Sequence, residues 1–287
     1  MKDTSAKQTH DLTAAIVAAG RIVVFTGAGI STGAGIPDYR GTGGQYSRFQ
    51  PVYYDEFLGS AAKQREYWLH KASVWPAMRA ARPGPAHQLC TVLAARGTLN
   101  GVITQNVDGL HEKAGLAGES IVNLHGSNFE VECISCGRRI PAGEVLDAMS
   151  RRYGYDDTAD RYGDDGDGGA TGGAAPTDGD GGAAFTPPRC AECGGLLKPA
   201  TIMFGQSLRT ADLIRAEEIL ERCDLFLAMG STLTVQPAAS LPAMAQHRGA
   251  ELAIVTRGST PQDASSKYRI DGDIDTFCLS VLEALEQ

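Results

Sequence analysis

Residues 27–41 of this 287-residue chain read GAGISTGAGIPDYRG and directly follow an apolar, β-branched run from Arg21 to Thr26. A strand that runs straight into a glycine-rich turn is the segment that most narrows the fold, because it belongs to an open α/β sheet. Gly27 and Gly29 carry no Cβ and accept backbone angles closed to other residues. A diphosphate can therefore approach the main chain where the next helix begins. An ordinary tight turn starts the same way, but the continuation through Pro37, Asp38, Tyr39 and Arg40 has no place in a plain dinucleotide fingerprint.

Further strands are expected near 100–104, 120–124, 224–229 and 251–256, and helix-compatible periodicity runs over Ala86 to Arg96 and Leu213 to Glu221. That alternation predicts a doubly wound parallel sheet. The strand at 101–104 ends in Gln105-Asn106-Val107-Asp108-Gly109-Leu110-His111, and the strand at 120–124 delivers His125 and Gly126. Amide, carboxylate and imidazole groups thus gather at the carboxyl ends of strands, where open parallel sheets bind ligands. Two insertions interrupt the pattern: an aromatic-rich stretch at about 42–85, expected to be helical, and a stretch at about 127–200 that holds two CxxC pairs.

Each pair, Cys133/Cys136 and Cys190/Cys193, is followed by glycine, which permits a tight turn that aims two thiolates at one ion. Four sulfurs make a closed tetrahedral zinc shell, structural and not catalytic. Redox-active pairs and unligated core cysteines are the rival readings. Cys90, Cys223 and Cys278 lie in apolar contexts and read as inert buried thiols. The formal net charge of −8 is local, since residues 154–185 hold eight aspartates, one arginine and ten glycines and so carry −7 of it. Such a segment cannot bury enough surface to offset its ordering entropy, and it is expected to be a disordered loop. The remainder is nearly neutral, which gives no general case for nucleic-acid affinity. No stretch approaches the roughly 20 apolar residues that cross a bilayer, and the first residues lack a secretion-signal layout. The expected compartment is therefore the cytoplasm, where reducing conditions make the two CxxC pairs metal ligands rather than disulfides.

Taken in order, GAGIS…GIPDYRG, TQNVDGLH, LHGS, FGQ and GSTLTVQPA resemble the sirtuins, the NAD-dependent protein deacylases, over about residues 20–265. The IPDYR spelling, Tyr67-Trp68, Trp75-Pro76 and Pro85-Ala86-His87 resemble the class II branch. The resemblance implies a Rossmann-like NAD-binding domain from 1–41, 86–126 and 201–287. It also implies a small domain built from the helical insertion (42–85) and the zinc module (127–200), with the active site in the cleft between.

The same resemblance implies removal of acyl groups from lysine side chains, with release of nicotinamide and O-acyl-ADP-ribose. His125 would be the general base, a role suited to an imidazole that titrates near the working pH. Asn106 and Asp108 would hold the ribose and the carboxamide, Gln105 would lie near the ribose hydroxyls, Arg40 would contact diphosphate and Tyr39 would screen the sugar. Gly27, Ala28, Gly29, Ser31, Pro37, Asp38, Gly230, Ser231, Thr232 and Thr256 complete the implied cofactor contacts. Ile202, Phe204 and Gly205 would present an open strand edge to an extended peptide, giving acyl-lysine proteins as partners. Three positions depart from the usual pattern: Tyr39 for phenylalanine, Gln206 for glutamate and Thr256 for asparagine. Relatives that take succinyl or malonyl lysine carry a Tyr-x-x-Arg pair, where this chain has Tyr67-Trp68-Leu69-His70. Neutral acyl chains are therefore expected, with Phe57, Tyr67 and Trp68 as an apolar wall or, alternatively, as plain packing. A mono-ADP-ribosyltransferase using the same site is the alternative activity, and a catalytically weak NAD-sensing module is a third reading.

Overall fold

The computed structural model describes residues 2–38, 50–152 and 186–286. Among them are nine strands: β1 (Ile22–Thr26), β2 (Leu99–Thr104), β3 (Ile121–Asn123), β4 (Gly126–Cys133), β5 (Arg139–Pro141), β6 (Leu197–Thr201), β7 (Leu225–Met229), β8 (Glu251–Val255) and β9 (Tyr268–Ile270). The chain divides into two units, one from Met1–Asp38, Arg82–His125 and Leu208–Gln287, the other from Tyr39–Ala81 and Gly126–Ser207.

In the first unit six strands lie in the order β3-β2-β1-β7-β8-β9, every neighbouring pair parallel. β1 and β7 are buried at all their positions, as befits strands covered on both faces. Ile22, Val24, Leu225 and Leu227 pack with Leu12, Ile16, Leu89, Leu93, Phe277 and Val281, from the helices Lys2–Ala18, Pro85–Ala95 and Ile274–Leu285. The alternate residues Val23, Phe25, Phe226 and Ala228 pack with Ala216, Leu220, Leu241 and Ala245, from the helices Thr210–Leu220 and Leu241–His247. Side chains that alternate along a strand thus feed two cores, which defines a doubly wound sheet. The strand order reverses between β1 and β7, and the loops after those strands meet at the point where Rossmann-like sheets take their ligands.

The second unit holds an antiparallel sheet in the order β5-β4-β6. Phe57, Tyr67, Trp68 and Trp75 from the helical insertion share one apolar core with Val131, Cys133, Cys190 and Leu197 from the cysteine-bearing insertion. Phe57 and Trp68 have no exposed surface and Tyr67 only 7%. The expectation that they form a wall for an acyl chain is corrected by this burial: they are the core of the unit. Lys198 is completely buried, and its Nζ bonds the Thr201 carbonyl at 2.7 Å and the Pro199 carbonyl at 3.1 Å and pairs with Glu132 on β4 at 2.8 Å. A buried ammonium needs such partners, and here they also close the end of β6 at Thr201. No helix among the described residues is long and apolar enough to cross a membrane.

Candidate functional site

The glycines of the first loop meet a constraint beyond the expected approach of a diphosphate. Gly27 sits at φ −127°, ψ −179°, extended backbone that any residue adopts, and the segment it leads into, Ala28–Ala34, is a 3₁₀ helix. What excludes a side chain is the neighbouring loop. A Cβ on Gly27 would lie 2.6 Å from the Gly230 carbonyl oxygen, one on Gly29 2.7 Å from Gly230 Cα, and one on Gly230, at φ +66°, 2.6 Å from the Ile30 nitrogen. The Gly29 N–H bonds the Gly230 carbonyl at 2.9 Å. The loops after β1 and β7 are therefore packed backbone against backbone.

The carboxyl ends of the strands bring the polar side chains together. Ser31, fully buried, donates from Oγ to Asp108 Oδ2 at 2.8 Å and accepts from Asn106 Nδ2 at 3.2 Å. Asp108 Oδ1 accepts from the Leu110 N–H at 3.0 Å, so the carboxylate also caps the short helix Leu110–Lys113. Burial pushes the Asp108 carboxyl up from its ordinary range, against the pull of these hydrogen bonds. Gln105 joins three strand ends: its N–H bonds the Thr26 carbonyl at 2.9 Å, its Oε1 accepts from Ser231 Oγ at 2.6 Å, and its carbonyl meets His125 Nδ1 at 3.0 Å. A carbonyl only accepts, so Nδ1 carries the proton and Nε2 is left with a lone pair, the tautomer a base requires. Burial lowers the His125 pKa from 6.5, partly offset by that bond.

The other expected residues are placed as follows. Pro37 and Asp38 are half-buried, as are Ala28 and Gly29, and Thr232 is exposed. Thr256 follows β8, buried, with its N–H on the Ile270 carbonyl at 3.1 Å. Tyr39, Arg40 and the acidic segment 154–185 lie outside the described residues. At the expected peptide edge the run is less extended than anticipated. Gly205 has φ +79°, and the turn at 203–206 is closed by Gln206, whose Oε1 accepts from the Met203 N–H at 3.1 Å and whose own N–H bonds the Met203 carbonyl at 3.0 Å. The Phe204 carbonyl is taken by the Tyr54 N–H at 2.9 Å. Ile202 is half-buried, and Phe204 is 38% exposed beside Tyr53.

Sequence reasoning missed Leu233 and a histidine pair. Leu233 holds a left-handed φ of +52° while nearly fully buried, its N–H bonded to Ser231 Oγ at 3.2 Å; β-strand and helix patterns carry no signal for such a residue. His87 and His111 are buried with ring centroids 4.9 Å apart. Burial pushes His87 down to about 4 and His111 down to about 3. Both are neutral when folded but titrate near 6.5 when unfolded, so their contribution to stability is constant above about pH 6.5 and is lost as the pH falls toward 4. The melting temperature is expected to drop between about pH 7.5 and about pH 5; a flat calorimetric profile would contradict a buried neutral pair.

The four paired cysteines form a zinc site. Their sulfurs lie within 4.8 Å of one another, with Cys133 and Cys193 3.5 Å apart and Cys136 and Cys190 3.8 Å apart. Zn–S bonds of about 2.3 Å in a tetrahedron set sulfurs roughly 3.8 Å apart, so the donor set fits the ion. The two knuckles are built alike: Gly137 at φ +74° and Gly194 at φ +70° follow the second cysteine of each pair, their N–H groups on the carbonyls of Cys133 and Cys190 at 2.9 Å.

A doubly wound parallel sheet with polar strand ends and an appended four-cysteine module defines the class of the protein. The model of the Sir2 family matches residues 27–237. The chain is 37% identical over 259 residues to NAD-dependent protein deacetylase 1 of Bradyrhizobium diazoefficiens, covering 90% of this chain and 89% of that protein. It is 34% identical over 285 residues to NAD-dependent protein deacylase SRT2 of Arabidopsis thaliana, with 96% and 76% covered. A solved Sir2 variant with deacetylated p53 peptide and 3′-O-acetyl-ADP-ribose superposes with a TM-score of 0.77 at 28% identity, covering 96% of this chain and 98% of that one. The chain belongs to the Sir2 family.

Proposed function

We propose that this protein is an NAD-dependent protein deacylase that removes acyl groups from lysine side chains, releasing nicotinamide and O-acyl-ADP-ribose. The observation that carries the reading is the convergence of Ser31, Gln105, Asn106, Asp108 and His125 at the ends of β1, β2 and β3 in a Sir2-family chain. NAD, when bound, supplies a ribose carbon activated by loss of nicotinamide, to which the acyl oxygen is transferred. Asn106 contributes an amide oxygen that bonds no described residue, and Asp108 a carboxylate already oriented by Ser31 and Leu110. His125 takes a proton from the ribose hydroxyls at Nε2 and returns it, with Nδ1 anchored on Gln105. Gly27, Ala28, Gly29, Gly230, Ser231 and Thr232 line the phosphate and adenosine end with Thr256, while Tyr39 and Arg40 complete the cofactor contacts. Ile202, Phe204 and Gly205 receive the peptide, and Gln206 holds their turn without a charge. The cytoplasmic location expected from the sequence is part of the same reading. Incubation with NAD and an acetylated peptide tests it: nicotinamide and free lysine in equal amounts support the deacylase, whereas label carried onto protein side chains supports a mono-ADP-ribosyltransferase.

Neutral acyl chains are the expected substrates. Burial, assisted by the neighbouring Lys71, pushes His70 down to about 4, so it is uncharged at neutral pH and offers a carboxylate no counter-charge. On one peptide, kcat/KM for succinyl-lysine is expected to fall at least about tenfold below that for acetyl-lysine, the loss of one charge-assisted bond. Succinyl as the better substrate would overturn this assignment of His70.

A further inference from the structure

His87 and His111 take no part in the chemistry above, yet both lie in the unit that holds the site and carry uncommitted polar atoms. His111 Nε2 is 3.1 Å from Thr26 Oγ1, which in turn donates to Thr104 Oγ1 at 2.8 Å. The Thr26 proton is therefore spent on Thr104, and Nε2 of His111 must be the donor, which leaves its Nδ1 an acceptor. His87 Nδ1 accepts from the Gly84 N–H at 3.1 Å, so the proton of His87 is on Nε2. His87 Nε2 and His111 Nδ1 are both buried with no hydrogen-bond partner among the described residues. One is a donor and the other an acceptor, on rings whose centroids are 4.9 Å apart. A direct bond or a single bridging water satisfies both at once. At the far end, Thr104 Oγ1 also accepts from the Asn106 N–H at 3.0 Å.

We propose that His111 is a positioning residue for Asn106, acting through the hydroxyls of Thr26 and Thr104, and that His87 fixes the tautomer of His111. Bonds run from the His111 ring through Thr26 and Thr104 to the backbone of Asn106, and the proposed contact with His87 extends them to the first turn of the helix Pro85–Ala95, with each proton assigned to one side. A neutral pair is required throughout, since a second proton on either ring would set donor against donor; burial keeps both rings neutral at working pH. The inference rests on the role of Asn106 at the NAD ribose proposed above.

Two measurements test it. In the wild-type protein at neutral pH, nitrogen-resolved NMR of the imidazoles is expected to show His87 and His111 each protonated at Nε2 alone. A proton on Nδ1 of either ring would overturn the assignment. In steady-state assays, Thr26→Val and His111→Leu each break the chain from one side, and each is expected to raise KM for NAD about 5- to 10-fold, the worth of roughly one buried hydrogen bond, with KM for peptide unchanged. His111→Gln, which keeps a donor on the Thr26 side, is expected to restore KM to within about twofold. Wild-type KM for NAD in folded Thr26→Val and His111→Leu variants would refute the positioning role. Asn106→Ala separates the two proposals: if that variant turns over normally, the assignment of Asn106 fails, while the NMR tautomers still report on the chain of bonds itself.

Discussion

Replacing His125 by alanine is expected to lower deacylation of an acetylated peptide by about 10²- to 10⁴-fold while NAD still binds. Among the described residues the imidazole is held after β3 by one bond, from Nδ1 to the Gln105 carbonyl, and Gln105 is itself fixed by Thr26 and Ser231. Removing the ring removes the proton acceptor without disturbing Ser31, Asn106 or Asp108, which are bonded among themselves. Calorimetric titration with NAD, alongside turnover of the same preparation, separates binding from chemistry. Near-normal turnover would take His125 out of the mechanism. The pH profile carries a second signature: because burial lowers the pKa of His125 from its ordinary 6.5, the acid limb of kcat/KM is expected below pH 6.5, with the neutral base the major form above it.

Alanine at any one of Cys133, Cys136, Cys190 or Cys193 is expected to abolish stoichiometric zinc and unfold the second unit. Structural zinc in small modules contributes about 10 to 16 kcal/mol of apparent binding free energy, as much as a domain's whole stability. Here the ligands are not appended to the unit; Cys133 and Cys190 belong to the same apolar core as Trp68 and Trp75. Metal analysis of fresh protein together with tryptophan fluorescence checks both halves of the expectation. Full zinc content in any of the four variants would contradict the closed four-sulfur shell.

The sheet was legible because its strands are short apolar runs covered on both faces, and a continuous run such as Ile22–Thr26 leaves little other choice. The helix Lys2–Ala18 was not, since its first half is charged and polar, and its second half, apolar from Ala14 to Ala18, buries only Ile16 beside Leu12 among the described residues. β9 is three residues long with an arginine at its centre and only Ile270 buried, so it carries no apolar run. The zinc ligands could be read from spacing alone, because two identical knuckles need only a Cys-x-x-Cys-Gly in each strand turn. The physical reason for Gly27 and Gly29 was not accessible, because the group that excludes a Cβ there is the backbone of Gly230, far along the chain. The same holds for Phe57 and Trp68, whose burial depends on residues of the other insertion.

The strand order also bears on how the chain is made. β1 is flanked by β2 and β7, so on a ribosome its β7-facing edge stays bare until Leu225–Met229 has been synthesised. At ordinary elongation rates that is a wait of roughly 10 to 40 seconds. Every segment of the zinc-bearing unit, which ends at Ser207, emerges within that interval. Metal capture can thus precede closure of the sheet, and over the same interval a naked, apolar strand edge is offered to other nascent chains.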